Sequence, residues 1–170
     1  ISFHLADDFT HVRKTLVRTG ATKQIITMAG DNTFLDQSWS SVGGGLDSLR
    51  LLKDWHLELH GTMKVQSQDS YVGKPIVELA QDIHIAADEV VSQVEMTRPN
   101  ERLLDSRMTT HFHRDNEQEN TQVDLKLTQK ILTKAPWFAR PVADRRVHAS
   151  AEKALLNQKQ AIIHLFESEE

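Results

Sequence analysis

Histidines spaced two residues apart are the first candidates for chemistry in this chain. His56, Glu58 and His60 alternate along one segment, and His111 with His113 forms a second His-x-His pair. On a β-strand such residues project from one face, so each set offers ligand atoms to a metal ion. Both sets lie on the polar face of their segment, and that face of a half-buried sheet is ordinarily solvated. We therefore predict a solvated surface and no metal site, with a metal bound by His56, Glu58 and His60 as the alternative.

Asp144 and His148 are the candidates for acid–base catalysis. They stand four apart, so on a helix they share a face, and the carboxylate can orient the imidazole as a general base. An i, i+4 pair that only stabilises the helix start fits the same spacing. The glycines at 43–45 lack the following Lys-Ser or Lys-Thr of a phosphate-binding loop, and they predict a turn. We predict no cofactor.

Composition limits the classes of function. The 170 residues are 39% hydrophobic and 26% charged, which fits one globular domain over residues 1–170. A net charge of -4, with Lys and Arg dispersed, gives no case for a nucleic-acid partner. The absence of cysteine excludes disulfides and thiol catalysis. No apolar run approaches the ~20 residues of a transmembrane segment.

The first residue is Ile1 rather than Met. Removal of a targeting peptide would account for this start. A boundary chosen for the sequence would account for it equally, so the start does not fix the compartment. We expect an intracellular location, and the mitochondrion or plastid is one destination if a targeting peptide has been removed.

The beginning of the chain predicts a strand followed by a helix. Ile1–Leu5 alternates apolar and other residues, and Asp8 can cap a helix over Phe9–Leu16 that stops at Gly20. Gln24–Met28 is interpreted as a further strand.

Residues 33–42 show no clean period, but alternation is clear farther along the chain. It predicts five strands, over Trp55–Val65, Val77–Ile85, Val90–Met96, Leu104–Phe112 and Val123–Ile131. Gly61 interrupts the apolar side of the first and indicates a bulge. Short polar links between the strands favour antiparallel neighbours.

The spacing of apolar residues changes at Pro136, and after it they recur at every third or fourth position. This predicts a helix over Ala139–Phe166, about 40 Å long at 1.5 Å per residue. Trp137 and Phe138 precede it. They suit a gate at a cavity mouth or a contact patch for a membrane or partner, but we predict that they pin the loop under the sheet.

This order of elements resembles the START-like, or helix-grip, superfamily. The likeness rests on Ile1–Leu16, the alternating strands and Ala139–Phe166, and on no signature motif. It implies an α+β fold in which a curved antiparallel sheet wraps around a long C-terminal helix, with a hydrophobic cavity between them. Two branches fit equally: polyketide cyclases or lipid-binding proteins, and the mitochondrial lipid-transfer group. Neither transfers a catalytic residue to this chain.

Several polar residues interrupt the faces that would look toward that helix. A dry core loses about 1–3 kcal/mol for each unpaired polar group, so they indicate either a mutual hydrogen-bond network or a partly wet cavity. In the second case they would orient the polar end of a mostly apolar ligand. The predicted ligand-cavity residues are Gln81, Ser92, Ser106, Met108, Thr110, Gln129, His148 and Gln158.

Three functions remain open. The first is non-enzymatic binding or transfer of a hydrophobic or lipid-like molecule between sheet and helix. The second is an accessory subunit of a larger complex, with other protein subunits as partners and the cavity filled. The third is a small enzyme of the cyclase or dehydratase type, which requires Asp144, His148 or another ionisable group in the cavity.

Overall fold

The chain folds as one curved antiparallel sheet followed by a long C-terminal helix, as the sequence predicts. The computed structural model describes residues 1–18, 20–43, 56–69 and 73–168. Trp55 and the glycines at 44 and 45 lie outside the described residues.

The seven strands of the sheet are β1 (Ser2–Leu5), β2 (Asn32–Gly43), β3 (His56–Ser67), β4 (Ile76–Ala86), β5 (Glu89–Met96), β6 (Leu103–Asp115) and β7 (Asn120–Ile131). The helices are α1 (Phe9–Leu16), α2 (Ala21–Ala29) and α3 (Arg140–Glu167). The spatial order is β1-β7-β6-β5-β4-β3-β2, so every strand from β2 to β7 pairs with its neighbour in the chain. β1 pairs with β7, and the sheet stays open because β2 forms its other edge.

Helix α1 begins where the sequence places it. The side chain of Asp8 accepts hydrogen bonds from the backbone N–H groups of Thr10 at 2.8 Å and His11 at 3.2 Å. These groups have no partner within the helix, so the cap stabilises its first turn. Phe9 and Val12 then face the core.

The strand predicted at Gln24–Met28 is wrong, because these residues belong to helix α2. Gly20 and Gly30 bound the helix with φ angles of +100° and +77°, a conformation that glycine adopts without steric cost. Ala21 and Ile25, four residues apart, are its buried positions. A short run of apolar residues fits either structure, and here the flanking glycines decide in favour of the helix.

The stretch without a clean period is the edge strand β2. Its pairing with β3 shifts register between Phe34 and Asp36 and again between Trp39 and Ser41. Each shift reverses the phase of alternation, so no single period runs through the strand. Trp39 lies opposite Gly61, which places an irregular pairing beside the glycine that indicated a bulge.

Helix α3 is buried only toward its C-terminal end, where Ala161, Ile162, Leu165 and Phe166 face the core. Trp137 and Phe138 form a short 3₁₀ turn before it, and they are 79% and 69% exposed. The prediction that they pin the loop under the sheet is therefore wrong. Their rings pack edge-to-face on each other rather than on the sheet.

The core consists of two separate apolar clusters. The larger includes Phe9, Val12, Phe112, Val123, Ile162 and Phe166. The smaller contains Met63, Val65, Val77 and Leu103. Within the described part of the chain, no helix is both long enough and apolar enough to cross a bilayer.

Candidate ligand-binding cavity

A cavity of about 180 Å³ lies between the sheet and helices α2 and α3. Members of both apolar clusters line it, among them Ile162 from the larger and Met63 from the smaller, so the cavity separates the two. A cavity of roughly 150 Å³ accepts a benzene-sized molecule. The space therefore suits a small ligand directly, and a longer one would need side chains to move.

The polar residues predicted to look inward converge on this cavity. Its walls include Gln81, Ser92, Ser106, Thr110, Gln129 and Gln158, together with Met108. They come from four strands and from α3, because antiparallel pairing aligns the same face of each strand. Alternation along the strands and the apolar stripe of α3 thus predicted the inward direction of these side chains correctly. That they bind a ligand stays a prediction.

His148 is the exception among the predicted cavity residues. Its side chain is 79% exposed and lies 3.6 Å from Glu152 on the same helix, outside the cavity wall. The helical wheel places His148 near the inward face, but α3 is not covered at this end. Asp144 is likewise exposed. The pair therefore does not supply the ionisable cavity group that the enzyme hypothesis requires.

Gln81 is the buried centre of a polar network at one side of the cavity, with 2% of its surface exposed. Its Oε1 accepts a 2.8 Å hydrogen bond from Nε2 of Gln37. Its Nε2 donates to Oγ1 of Thr22 at 3.2 Å and, at 3.5 Å, to Oγ of Ser92. These hydrogen bonds connect β4 to β2, α2 and β5. Both polar atoms of the Gln81 side chain therefore have partners without a ligand.

The other inward polar groups are not satisfied in this way. Among the described residues, the side chains of Ser106, Thr110, Gln129 and Gln158 have no hydrogen-bond partner. Each faces the same cavity from a strand or from α3. Thr110 is buried and the other three are half-buried, so these groups are positioned to meet water or the polar part of a ligand.

Asp31 is the one charged residue of the cavity wall among the residues described. Burial raises the pKa of this carboxyl, while the hydrogen bond from Asn157 and the charge of Lys153 act in the opposite direction. The sequence analysis missed it, since Asp31 lies in the short link between α2 and β2, where no period indicates direction. The glycine at the end of α2 was the only local signal of a turn there.

The histidines considered as metal-ligand candidates lie on the outer face of the sheet, away from the cavity. Nδ1 of His60 bonds to Asp82, and this hydrogen bond raises the pKa of His60. His56 stacks on His84 with ring centroids 5.8 Å apart. Among the described residues, His56, Glu58 and His60 do not converge as a three-ligand group, whereas His111 and His113 do so with Asp124.

Comparison with known proteins adds no assignment. No protein-family model matches the sequence, and no curated protein matches it significantly.

Proposed function

We propose that this chain is a START-like binding module that holds a small, neutral, mostly apolar molecule between its sheet and its closing helix. One observation carries the proposal: polar side chains of the sheet and of α3 that have no hydrogen-bond partner in the described part of the chain face a shared cavity with largely apolar walls. Apolar walls supply the affinity, and a few placed polar groups orient the ligand.

The charge of the wall favours a neutral ligand. The described lining residues include the Asp31 carboxyl and no Lys, Arg or His. An anionic head group would therefore meet a carboxylate and no cation. The amide and hydroxyl side chains of the wall can form hydrogen bonds with an alcohol, ester or amide of the ligand. Alcohols of medium chain length fit this pattern better than the corresponding fatty acids.

Native mass spectrometry of the purified chain provides the first test. We expect an additional mass that disappears on denaturation and belongs to a neutral small molecule. Ser106→Leu points a larger apolar side chain into the cavity and should abolish that mass. Thr109→Leu, on the outer face of the same strand, is the matched control and should retain it. Loss in both variants, or no retained molecule in the unaltered protein, contradicts the proposal.

A second test uses 1-octanol and octanoate, which share a chain and differ in head-group charge. We expect octanol to bind more tightly by calorimetry. Asp31→Asn should then raise the affinity for octanoate by about threefold to tenfold, since it removes a nearby like charge. An unchanged preference in Asp31→Asn would mean that Asp31 does not set the selectivity.

The exposed aromatic residues favour a second candidate, an accessory subunit. Trp137, Phe138 and Val142 present apolar surface at the uncovered end of α3. Such a patch marks interaction surfaces on many proteins. A co-purifying protein subunit, found instead of a retained small molecule, would favour this function over ligand binding.

A further inference from the structure

We propose that His111, His113 and Asp124, with Glu89 beside His111, form a binding site for a divalent transition-metal ion on the outer face of the sheet. The site lies on the opposite side of β5, β6 and β7 from the cavity, so it is independent of the proposed ligand. Imidazole and carboxylate together suit Zn²⁺ and related ions.

Strand pairing assembles the four side chains. His113 is directly opposite Glu89, and His111 is directly opposite Asp124. Yet the polar contacts run diagonally: Nε2 of His111 lies 2.9 Å from Oε2 of Glu89, and Nε2 of His113 lies 3.0 Å from Oδ2 of Asp124. The two imidazoles thereby occupy the middle of a four-residue row, with a carboxylate at each end.

The distances approach those of a metal site. The imidazole rings of His111 and His113 have centroids 4.7 Å apart. One ligand atom from each of His111, His113 and Asp124 lies within 4.8 Å of the others. Tetrahedral Zn²⁺ with bonds near 2.1 Å separates its ligand atoms by about 3.4 Å. Since all the side chains are only half-buried, small rotations about their χ angles can close that difference.

Neighbouring groups orient the Asp124 carboxylate. Oδ1 accepts hydrogen bonds from Oγ of Ser2 and, at 3.4 Å, from Nε2 of Gln122. The other oxygen is left facing His113. Outer partners of this kind fix the orientation of metal ligands in known sites.

The other histidine cluster of the same face provides an internal comparison. His56, His60 and His84 lie on β3 and β4, also beside carboxylates. There His60 contacts both Asp82 and Glu58, and His84 contacts the same Glu58, so the ring nitrogens are spread over two carboxylates. Among the described residues, only the β6–β7 group brings three ligand atoms together.

Calorimetric titration of the tag-free, chelator-treated protein with ZnCl₂ tests the site. We expect one Zn²⁺ per chain, and at least a tenfold loss of affinity in His111→Ala/His113→Ala. Asp124→Asn, a variant of nearly the same size, should also weaken binding at least tenfold. The matched control is His56→Ala/His84→Ala, which removes two histidines from the same face and should bind as the unaltered protein does.

Ring nitrogen spectra identify the ligands directly. On addition of ZnCl₂, the ¹⁵N resonances of His111 and His113 should shift, and those of His56 and His84 should not. Absence of Zn²⁺ binding, equal loss in the control pair, or shifts spread over all surface histidines would overturn the proposal.

Discussion

Asn157 of helix α3 donates a 2.9 Å hydrogen bond from Nδ2 to Oδ1 of Asp31, which follows helix α2. The bond joins the closing helix to the link between α2 and the edge strand, beside the cavity. It also supplies the main stabilising contact of a carboxylate whose pKa is raised by burial.

Asp31→Asn should stabilise the protein at neutral pH. A carboxyl whose pKa is higher in the folded state than its unfolded value of about 3.9 costs the fold stability at any pH above the folded pKa. That cost diminishes as the pH falls through the folded pKa, and it vanishes below the unfolded pKa. Urea unfolding at pH 7 should show a gain below about 1 kcal/mol, because partial exposure screens the charge.

The gain from Asp31→Asn should shrink as the pH falls from 7 toward the unfolded pKa of about 3.9. Asn157→Ala provides the coupling control. It should lower the free energy of unfolding more in the protein with Asp31 than in the Asp31→Asn variant, because only the Asp31 carboxylate would remain charged without its hydrogen-bond donor. A gain that is independent of pH would contradict this origin.

Gln158→Leu should move stability and binding in opposite directions. Gln158 lines the cavity from α3 and has no hydrogen-bond partner among the described residues. The apolar replacement should therefore stabilise the empty protein by about 1 kcal/mol, while 1-octanol binds more weakly. Thermal unfolding and calorimetry measure the two effects.

Gln160→Leu, at an exposed position of the same helix, should change neither by more than about 0.5 kcal/mol. Equal effects from both variants would exclude a role for Gln158 in the cavity.

Gly61→Ala should destabilise the sheet edge. An added Cβ would lie 2.7 Å from the carbonyl oxygen of Ser38 and 2.7 Å from the ring of Trp39. The ring can rotate but the carbonyl belongs to the paired strand, so we expect a loss of about 1–3 kcal/mol in the free energy of unfolding. Thr62→Ala, at the adjacent exposed position, should cost about 0.5 kcal/mol or less. Comparable losses in both variants would mean that the close approach is not the cause.

Trp137→Ala/Phe138→Ala should leave folding nearly unchanged, because both side chains are mostly exposed. We expect a change within about 0.5 kcal/mol by urea unfolding, together with weaker binding to any protein partner that co-purifies. Phe166→Ala, which truncates a ring that is 2% exposed, should instead cost about 3–5 kcal/mol. A large loss of stability in the double variant would show that the aromatic pair is structural after all.

Alternation could predict most of this architecture because four central strands bury one face each. The period alone placed Gln81, Ser92 and Gln129 on the inward face, and the resemblance implied the cavity. All three residues line the cavity in the structure. The same rule fails where geometry breaks the period. In β2, two register shifts reverse the phase, so the strand between Asn32 and Gly43 gave no signal.

Two other differences have their own physical reasons. Helix α2 is short enough that its apolar run also fits a strand, and only the positive φ angles of its flanking glycines separate the two. The helical wheel places His148 on the inward side of α3. The sequence pattern does not show how far along the helix other elements cover that side, and at His148 the helix is exposed. Asp31 and the diagonal contacts of His111 and His113 depend on loop path and strand register, which neither composition nor period specifies.

The separation of the core into two clusters has a consequence for cooperativity. Apolar contact normally transmits stability from one part of a domain to another, and here the cavity interrupts it. The part of the sheet around Met63 and Val65 of β3 and Val77 of β4 can thus open at lower free energy than the part that packs against α1 and α3, as partly independent folding units do. A bound molecule that fills the cavity would connect the two apolar clusters, so that they unfold together. Ligand binding should therefore be measured as slower amide hydrogen exchange in β3 and β4.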